Sequence, residues 1–194
     1  MQKDEKSAKV LSSKYLMKEP WCTLREDKIQ LANGVIVPNY YVLEYPNWVN
    51  VLAITKDKKF LMIRQYRHGT QTVNYELCGG CVDPTDASPL HAAQRELLEE
   101  TGYGNGKWTF NLKLSANPST TNNWTYNFIA EDVEPIGTQH LDGGEDISVH
   151  LLSVEQVLEL LKQNDIIQSV HACAFWKYFA THSSLADFSG FKEK

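Results

Sequence analysis

The chain has 194 residues, 42% of them hydrophobic and 22% charged, with a formal net charge of −5. That length suits one domain with a small appendage, and a core that hides roughly 70% of the unfolded surface. The acidic balance argues against a nucleic-acid-binding surface, which is usually basic, but leaves room for a few arginines around a small anion.

The opening residues, MQKDEKSAK, carry no apolar h-region, and no run of about 18 apolar residues occurs, so neither a signal peptide nor a membrane span is expected. Four cysteines are too few for a disulfide scaffold, which makes a reducing cytoplasm the expected compartment. Residues 1–19 are polar and read as a loose or partly helical arm. WCTLREDKIQL and VIVPNYYVLEY flank Asn33-Gly34 and predict a β-hairpin, with Pro38 marking an edge strand. The arm and hairpin, residues 1–46, form one expected unit, and 47–194 the main domain. WVNVLAIT and KFLMIRQYR predict two strands joined by Lys56-Asp57-Lys58. A helix then starts with Ser88 as N-cap and Pro89 as first residue, and stops at Gly102; Leu90, Ala93 and Leu97 are spaced to face a core. KWTFNLKLS, WTYNFIAEDV and ISVHLLS predict strands, and VEQVLELLKQN and SVHACAFWKYFATH helices. Mixed strands with about three helices suggest a layered α/β or α+β sandwich.

Cys78-Gly-Gly-Cys81 is a Cys-x-x-Cys spacing. A structural zinc site needs about four ligands, and neither Cys22 nor Cys173 supplies a second close pair. A redox pair belongs at the start of a helix, where the thiol pKa falls, and this helix starts several residues later. The two glycines therefore read as a tight turn. The six histidines contain no His-x-x-x-His pair and read as surface or core residues.

The helix itself carries Arg95-Glu96-Leu97-Leu98-Glu99-Glu100-Thr101-Gly102. Glu96 and Glu100 are four apart and share a face, with Glu99 beside them. Such a run is commonly a solvated surface; as a ligand set, its hard oxygens suit Mg²⁺ or Mn²⁺. Arg95 can pair with Glu99 or with an acid in the preceding loop.

From Gly80 to Tyr103 the chain, GCVDPTDASPLHAAQRELLEETGY, resembles the Nudix box, with the helical half matched at Arg95, Glu96, Leu97, Glu99, Glu100 and Gly102. The front half departs from the pattern. Counting from Gly80, the box glutamate position falls on Asp86, and eight rather than seven residues separate it from Arg95, so an Asp86–Arg95 contact is an open expectation. Trp48, RQYR, the Glu-Leu before the glycines and the acidic loop 142–146 are similar to the ADP-ribose pyrophosphatase branch. The resemblance covers about residues 20–180.

The resemblance implies a Nudix-type α/β/α sandwich with a mixed sheet, an α/β (α+β) fold, carrying the N-terminal hairpin as a subdomain. It implies hydrolysis of ADP-ribose or a related nucleoside diphosphate sugar, dependent on Mg²⁺ with Mn²⁺ as a substitute, by a homodimer that exchanges its N-terminal strands. It assigns metal ligation to Glu96, Glu99, Glu100 and a carbonyl of Gly79 or Gly80. Glu145 is the general base, with Asp142 and Asp146 as neighbouring alternatives. Substrate contacts fall to Trp48, Arg64, Arg67, Glu76, Asn117 and Ser119, although strand alternation puts Arg64 and Arg67 on opposite faces. A Nudix-fold protein that senses nucleotide sugars without cleaving them is the alternative.

Overall fold

The computed structural model describes residues 6–182. The chain divides into two compact units, Met1–Pro46 with Ser115–Trp124, and Asn47–Leu114 with Thr125–Lys194.

The first unit is a three-stranded antiparallel sheet in the order β1 (Lys9–Glu19), β2 (Cys22–Gln30), β3 (Ile36–Glu44). The hairpin read from the sequence is β2–β3, and β3, which carries Pro38, is an edge strand at a register shift. The expected loose or helical arm is corrected: from Lys9 onward it is a strand, paired with β2 from Lys9–Gln30 to Glu19–Cys22. Register shifts at Val10/Ser12 and Tyr15/Met17 break its period-2 pattern, which hid the strand from a periodicity reading. Residues 1–5 of that arm lie outside the described residues. Segment 115–124 packs on β3, through a parallel bridge Leu43–Thr121 and a hydrogen bond from Tyr40 Oη to Ser119 O (2.7 Å).

The second unit is built on a mixed sheet, of which β4 (Trp48–Thr55) and β5 (Phe60–Arg67) form the centre. β4 pairs antiparallel with β5 only near Ala53 and Ile54, and parallel with β9 (Thr125–Pro135) along its whole length. β10 (Ile147–Leu152) and β6 (Thr72–Glu76) flank β5; β7 (Tyr103–Gly104) and β8 (Lys107–Leu114) flank β9. β6 and β7 are additions to the elements expected from sequence.

Alternation along β4 and β5 sorts their side chains. Val49, Val51, Ala53, Leu61 and Ile63 meet Ala92, Ala93 and Leu97 of α1 (Pro89–Thr101). Leu52, Ile54, Phe60 and Met62 meet α2 (Val154–Gln163) and α3 (Ser169–Thr181), where Phe60 lies edge-on to Phe175 and Tyr178. The result is the expected α/β/α sandwich. Because β4 and β5 diverge, the chain between β6 and α1 enters the gap: Val51 N–H donates to Cys78 O and Val49 N–H to Gly80 O, both at 2.9 Å. This wedge sets the glycine turn between the two central strands.

Candidate active site

Helix α1 is held at both ends as its sequence predicts. Ser88 Oγ accepts the His91 N–H, Pro89 occupies the first turn, and Gly102 closes the C-cap. This fixes the rotation of the helix, so Leu97 enters the core and Glu96 and Glu100 face the glycine turn. Gly79 N–H donates to Glu100 Oε2 at 2.8 Å. A Cβ at Gly80 would stand 2.5 Å from Glu96 Oε1, and one at Gly79 would stand 2.1 Å from Val49 O. Gly79 therefore needs glycine for its close approach to the β4 backbone, whereas a side chain at Gly80 would displace the movable Glu96 carboxylate from the turn.

The carboxylates at this turn crowd one another. Burial pushes Glu100 up to about 8; the Gly79 N–H and Arg67 act against that rise, while Glu96 and Glu145 add to it. Glu96 is likewise raised by burial, with Arg95 opposing and Glu99 and Glu145 reinforcing. Glu145 is half-buried, whereas Asp142 and Asp146 beside it are exposed, and its Oε2 accepts the Asp142 N–H at 3.0 Å. Among the described residues no group of three or more His, Cys, Asp or Glu side chains is already closed around a metal-sized point.

Arg67 joins this cluster from β5. Its Nε and Nη2 donate to the fully buried Glu76 at 3.0 and 2.6 Å, which raises the guanidinium pKa and fixes it at the rim. Glu76 thus stands behind Arg67. Arg64 lies on the other face of β5, as alternation predicts: it pairs across to Tyr75 and Ser148, and its guanidinium stacks 5.1 Å from the Tyr75 ring centroid. The structure does not bring it to the cluster.

Arg95 ties the helix to the preceding loop. It donates to Asp86 (Nη2–Oδ2 3.0 Å, Nε–Oδ1 3.3 Å), to Cys81 O (3.1 Å), to Glu96 Oε1 (3.0 Å) and to Glu99 Oε2 (2.8 Å). The guanidinium holds Asp86 down at about 2, helped by the Asp83 N–H and His91. Glu99 is the more exposed member of the acidic turn and is engaged by Arg95.

Trp48 lines a cavity of about 350 Å³ beside the turn, together with Arg67, Gly79, Gly80 and Cys81. Asn117 and Ser119 belong to the N-terminal unit, where the Asn117 carbonyl accepts from Thr120 and Thr121 N–H and the Ser119 carbonyl from Tyr40. All four cysteines are free; burial pushes the Cys78 thiol well up, and Cys81 is raised by burial and by Glu96. Thiols shifted that way are poor nucleophiles. Sequence reasoning missed Asn50, Thr125 and Gln168 as cavity-lining residues and left His171 as an ordinary core histidine. The available signal was an asparagine inside each of two apolar strands, WVNVLAIT and TYNFIAED.

Comparison with known proteins divides the chain in two. Residues 45–173 match the NUDIX domain, and residues 9–43 match the Nucleoside diphosphate sugar hydrolase N-terminal domain. The chain is 27% identical over 149 residues to an ADP-ribose pyrophosphatase of Bacillus subtilis (strain 168), covering 76% of this chain and 80% of that protein. It is 26% identical over 167 residues to a GDP-mannose pyrophosphatase of Enterobacter sp. (strain 638), covering 81% and 85%. A crystal structure of an ADP compounds hydrolase superposes with a TM-score of 0.81 at 24% identity, covering 94% of this chain and 98% of the other, a likeness of fold. With more than half its length matched by the domain, and the box residues gathered at one turn, the chain belongs to the Nudix family.

Proposed function

We propose that this protein hydrolyses the diphosphate bridge of ADP-ribose or a related nucleoside diphosphate sugar. Water attacks one phosphorus, the bridging P–O bond breaks, and the products are a nucleoside monophosphate and a sugar phosphate. The observation that carries this reading is the convergence of Glu96, Glu100 and Glu145 with Arg67 at the Gly79-Gly80 turn. The relatives named above act on compounds of this class, which agrees with it.

The donor set fits Mg²⁺, with Mn²⁺ as a substitute. It consists of hard carboxylate oxygens whose charges push one another's pKa upward, a strain that a divalent cation relieves. Glu96 and Glu100 would hold the ion, with Glu99 on the same turn and the Gly79 carbonyl; the Gly80 carbonyl accepts from Val49 N–H. When bound, the cation neutralises diphosphate charge and lowers the pKa of a coordinated water.

The remaining work belongs to the chain. Arg67, anchored by Glu76, presents a fixed cation to the diphosphate oxygens. Glu145, whose charge reaches Glu96 and Glu100, takes the proton of the attacking water in this reading. The retained carboxylates favour hydrolysis over mere sensing. In the N-terminal unit, every residue of β1 is exposed, including Val10, Leu11, Tyr15, Leu16 and Met17; this supports a homodimer assembled through these strands.

The test is incubation of the purified protein with Mg²⁺ or Mn²⁺ and ADP-ribose, ADP-glucose, GDP-mannose or UDP-glucose, scored by release of nucleoside monophosphate. Turnover of at least one, lost about 100-fold or more in Glu100→Gln, is expected. Tight binding of one compound with no turnover of any would replace hydrolysis with sensing.

A further inference from the structure

Strands β4, β8 and β9 bury three asparagines, Asn50, Asn111 and Asn127, at 1%, 6% and 0% exposure. They form a chain of amides. Asn111 Nδ2 donates to Asn127 Oδ1 (2.7 Å) and to Ala174 O (3.3 Å); Asn127 Nδ2 donates to Asn50 Oδ1 (2.5 Å) and to Asn50 O (3.2 Å). The chain ends on Asn50. Its oxygen is pinned toward Asn127, so its amide hydrogens turn away, and there Nδ2 is buried without a hydrogen-bond partner. Thr125 Oγ1, on the same face and in register with Trp48, is also buried without one. Two unpaired polar groups side by side are costly in a folded protein unless a ligand meets them.

Both residues line the 350 Å³ cavity. His171 lines it too: its Nδ1 accepts the Leu77 N–H at 3.3 Å, and burial holds the ring neutral, pushed down to about 4, so Nε2 carries the proton and is a third donor. Arg67, Gly79 and Gly80 belong both to the cavity wall and to the carboxylate cluster. The cavity therefore opens beside the position argued above for the diphosphate.

We propose that this cavity is the subsite for the sugar of the nucleoside diphosphate sugar, read by Asn50, Thr125 and His171, with Asn111 and Asn127 as positioning residues. The assignment rests on the hydrolase reading for the orientation of the substrate. The lining suits the hydroxyls of a sugar. Each sugar hydroxyl accepts from the Asn50, Thr125 and His171 donors and can donate in turn to an amide oxygen such as that of Gln168, and among the described residues no carboxylate lines the cavity. Trp48 supplies an apolar wall for a ring face, and the volume suits one ring.

The experiment compares wild type with Thr125→Val, which keeps the shape and removes the hydroxyl, and Thr125→Ser, which restores it. Calorimetric affinities are taken in Mg²⁺ for the α,β-methylene analogues of ADP-ribose and GDP-mannose, which resist cleavage at the bridge, and for the sugar-free α,β-methylene ADP and GDP. Thr125→Val should keep or raise the melting temperature, lose about 5- to 10-fold in affinity for a sugar-bearing analogue, and lose none for the sugar-free ones. Thr125→Ser should recover most of the loss. Asn127→Leu should raise KM for the sugar nucleotide at constant kcat; a drop in kcat instead would mark it as merely structural and remove the relay. Equal losses on both analogue types, no loss at all, or equal wild-type affinity for both would overturn the sugar assignment. Turnover is read in parallel. A wild type that cleaves sugar nucleotides while Thr125→Val matches it removes this inference alone; the Thr125→Val binding deficit in a protein that cleaves nothing removes the hydrolase reading and leaves the pocket.

Discussion

The Asp86 carboxylate meets the Arg95 guanidinium through two parallel hydrogen bonds, Nη2–Oδ2 at 3.0 Å and Nε–Oδ1 at 3.3 Å. The Asp86–Arg95 contact left open by the spacing of the sequence is therefore made. The turn Asp83–Asp86 provides the reach: Asp86 N–H donates back to Asp83 O, and Asp86 Oδ2 accepts the Asp83 N–H.

This contact predicts an acid-sensitive contribution to stability. Asp86 titrates at about 2 in the folded protein, below its ordinary 3.8, so the folded state favours the ionised form. The contribution is present above about 3.8 and is lost as pH falls toward 2. Asp86→Asn should lower the melting temperature at pH 7 by a few degrees, about 2–4 °C per kcal/mol lost in a chain of this size, and the gap from wild type should close by pH 2. A gap that persists at pH 2 would show that the ion pair is not its source.

Glu100 predicts the opposite slope. Its folded pKa of about 8 lies above the ordinary 4.5, so the folded state favours the protonated acid. That stabilisation is full below about 4.5 and is lost as pH rises through 8. In the presence of a chelator, wild type should melt at progressively lower temperature between pH 5 and pH 8.5, and Glu100→Gln should flatten that slope. Adding Mg²⁺ at pH 8 should raise the wild-type melting temperature and leave Glu100→Gln much less affected, because an ion bound by the ionised carboxylate relieves the same crowding. Scanning calorimetry with and without Mg²⁺ measures both.

How far these features were visible beforehand depended on the range of the interactions behind them. Ser88, Pro89 and Gly102 announce α1 because caps are local, and the spacing of Leu90, Ala93 and Leu97 fixes which face turns inward. Arg64 and Arg67 were separable because a strand's alternation is also local. The Asp86–Arg95 bond needed the actual path of a turn. Strand β1 was illegible because two bulges scramble its alternation, and the Asn111–Asn127–Asn50 chain because it exists only once β4 lies parallel to β9 and β8 antiparallel to it. Nothing within a short window of sequence encodes those pairings.

Arg67 and Glu76 form a pair in which one partner is wholly buried and the other half-exposed. Removing the arginine alone leaves a buried carboxylate without its cation, so Arg67→Gln should destabilise the protein by about 1–3 kcal/mol as well as raise KM. Removing both charges in Arg67→Gln/Glu76→Gln should restore most of the stability and none of the activity. Chemical denaturation with steady-state kinetics on the same four proteins completes the cycle. Recovery of KM in the double variant would take Arg67 out of substrate binding.

The N-terminal sheet yields the final prediction. All eleven residues of β1 are exposed, yet five of them, Val10, Leu11, Tyr15, Leu16 and Met17, are large and apolar. An apolar strand left open at a sheet edge is a liability unless another chain covers it. Wild type should therefore sediment as a dimer, and Leu11→Lys/Leu16→Lys as a monomer, because two buried charges per protomer oppose association. If substrate binding needs the partner's strands, the monomer should lose turnover while keeping the melting profile of the Asn47–Leu114 and Thr125–Lys194 unit. A monomeric wild type would instead leave this strand to a different partner, and a monomeric variant of full activity would make each protomer's site complete in itself.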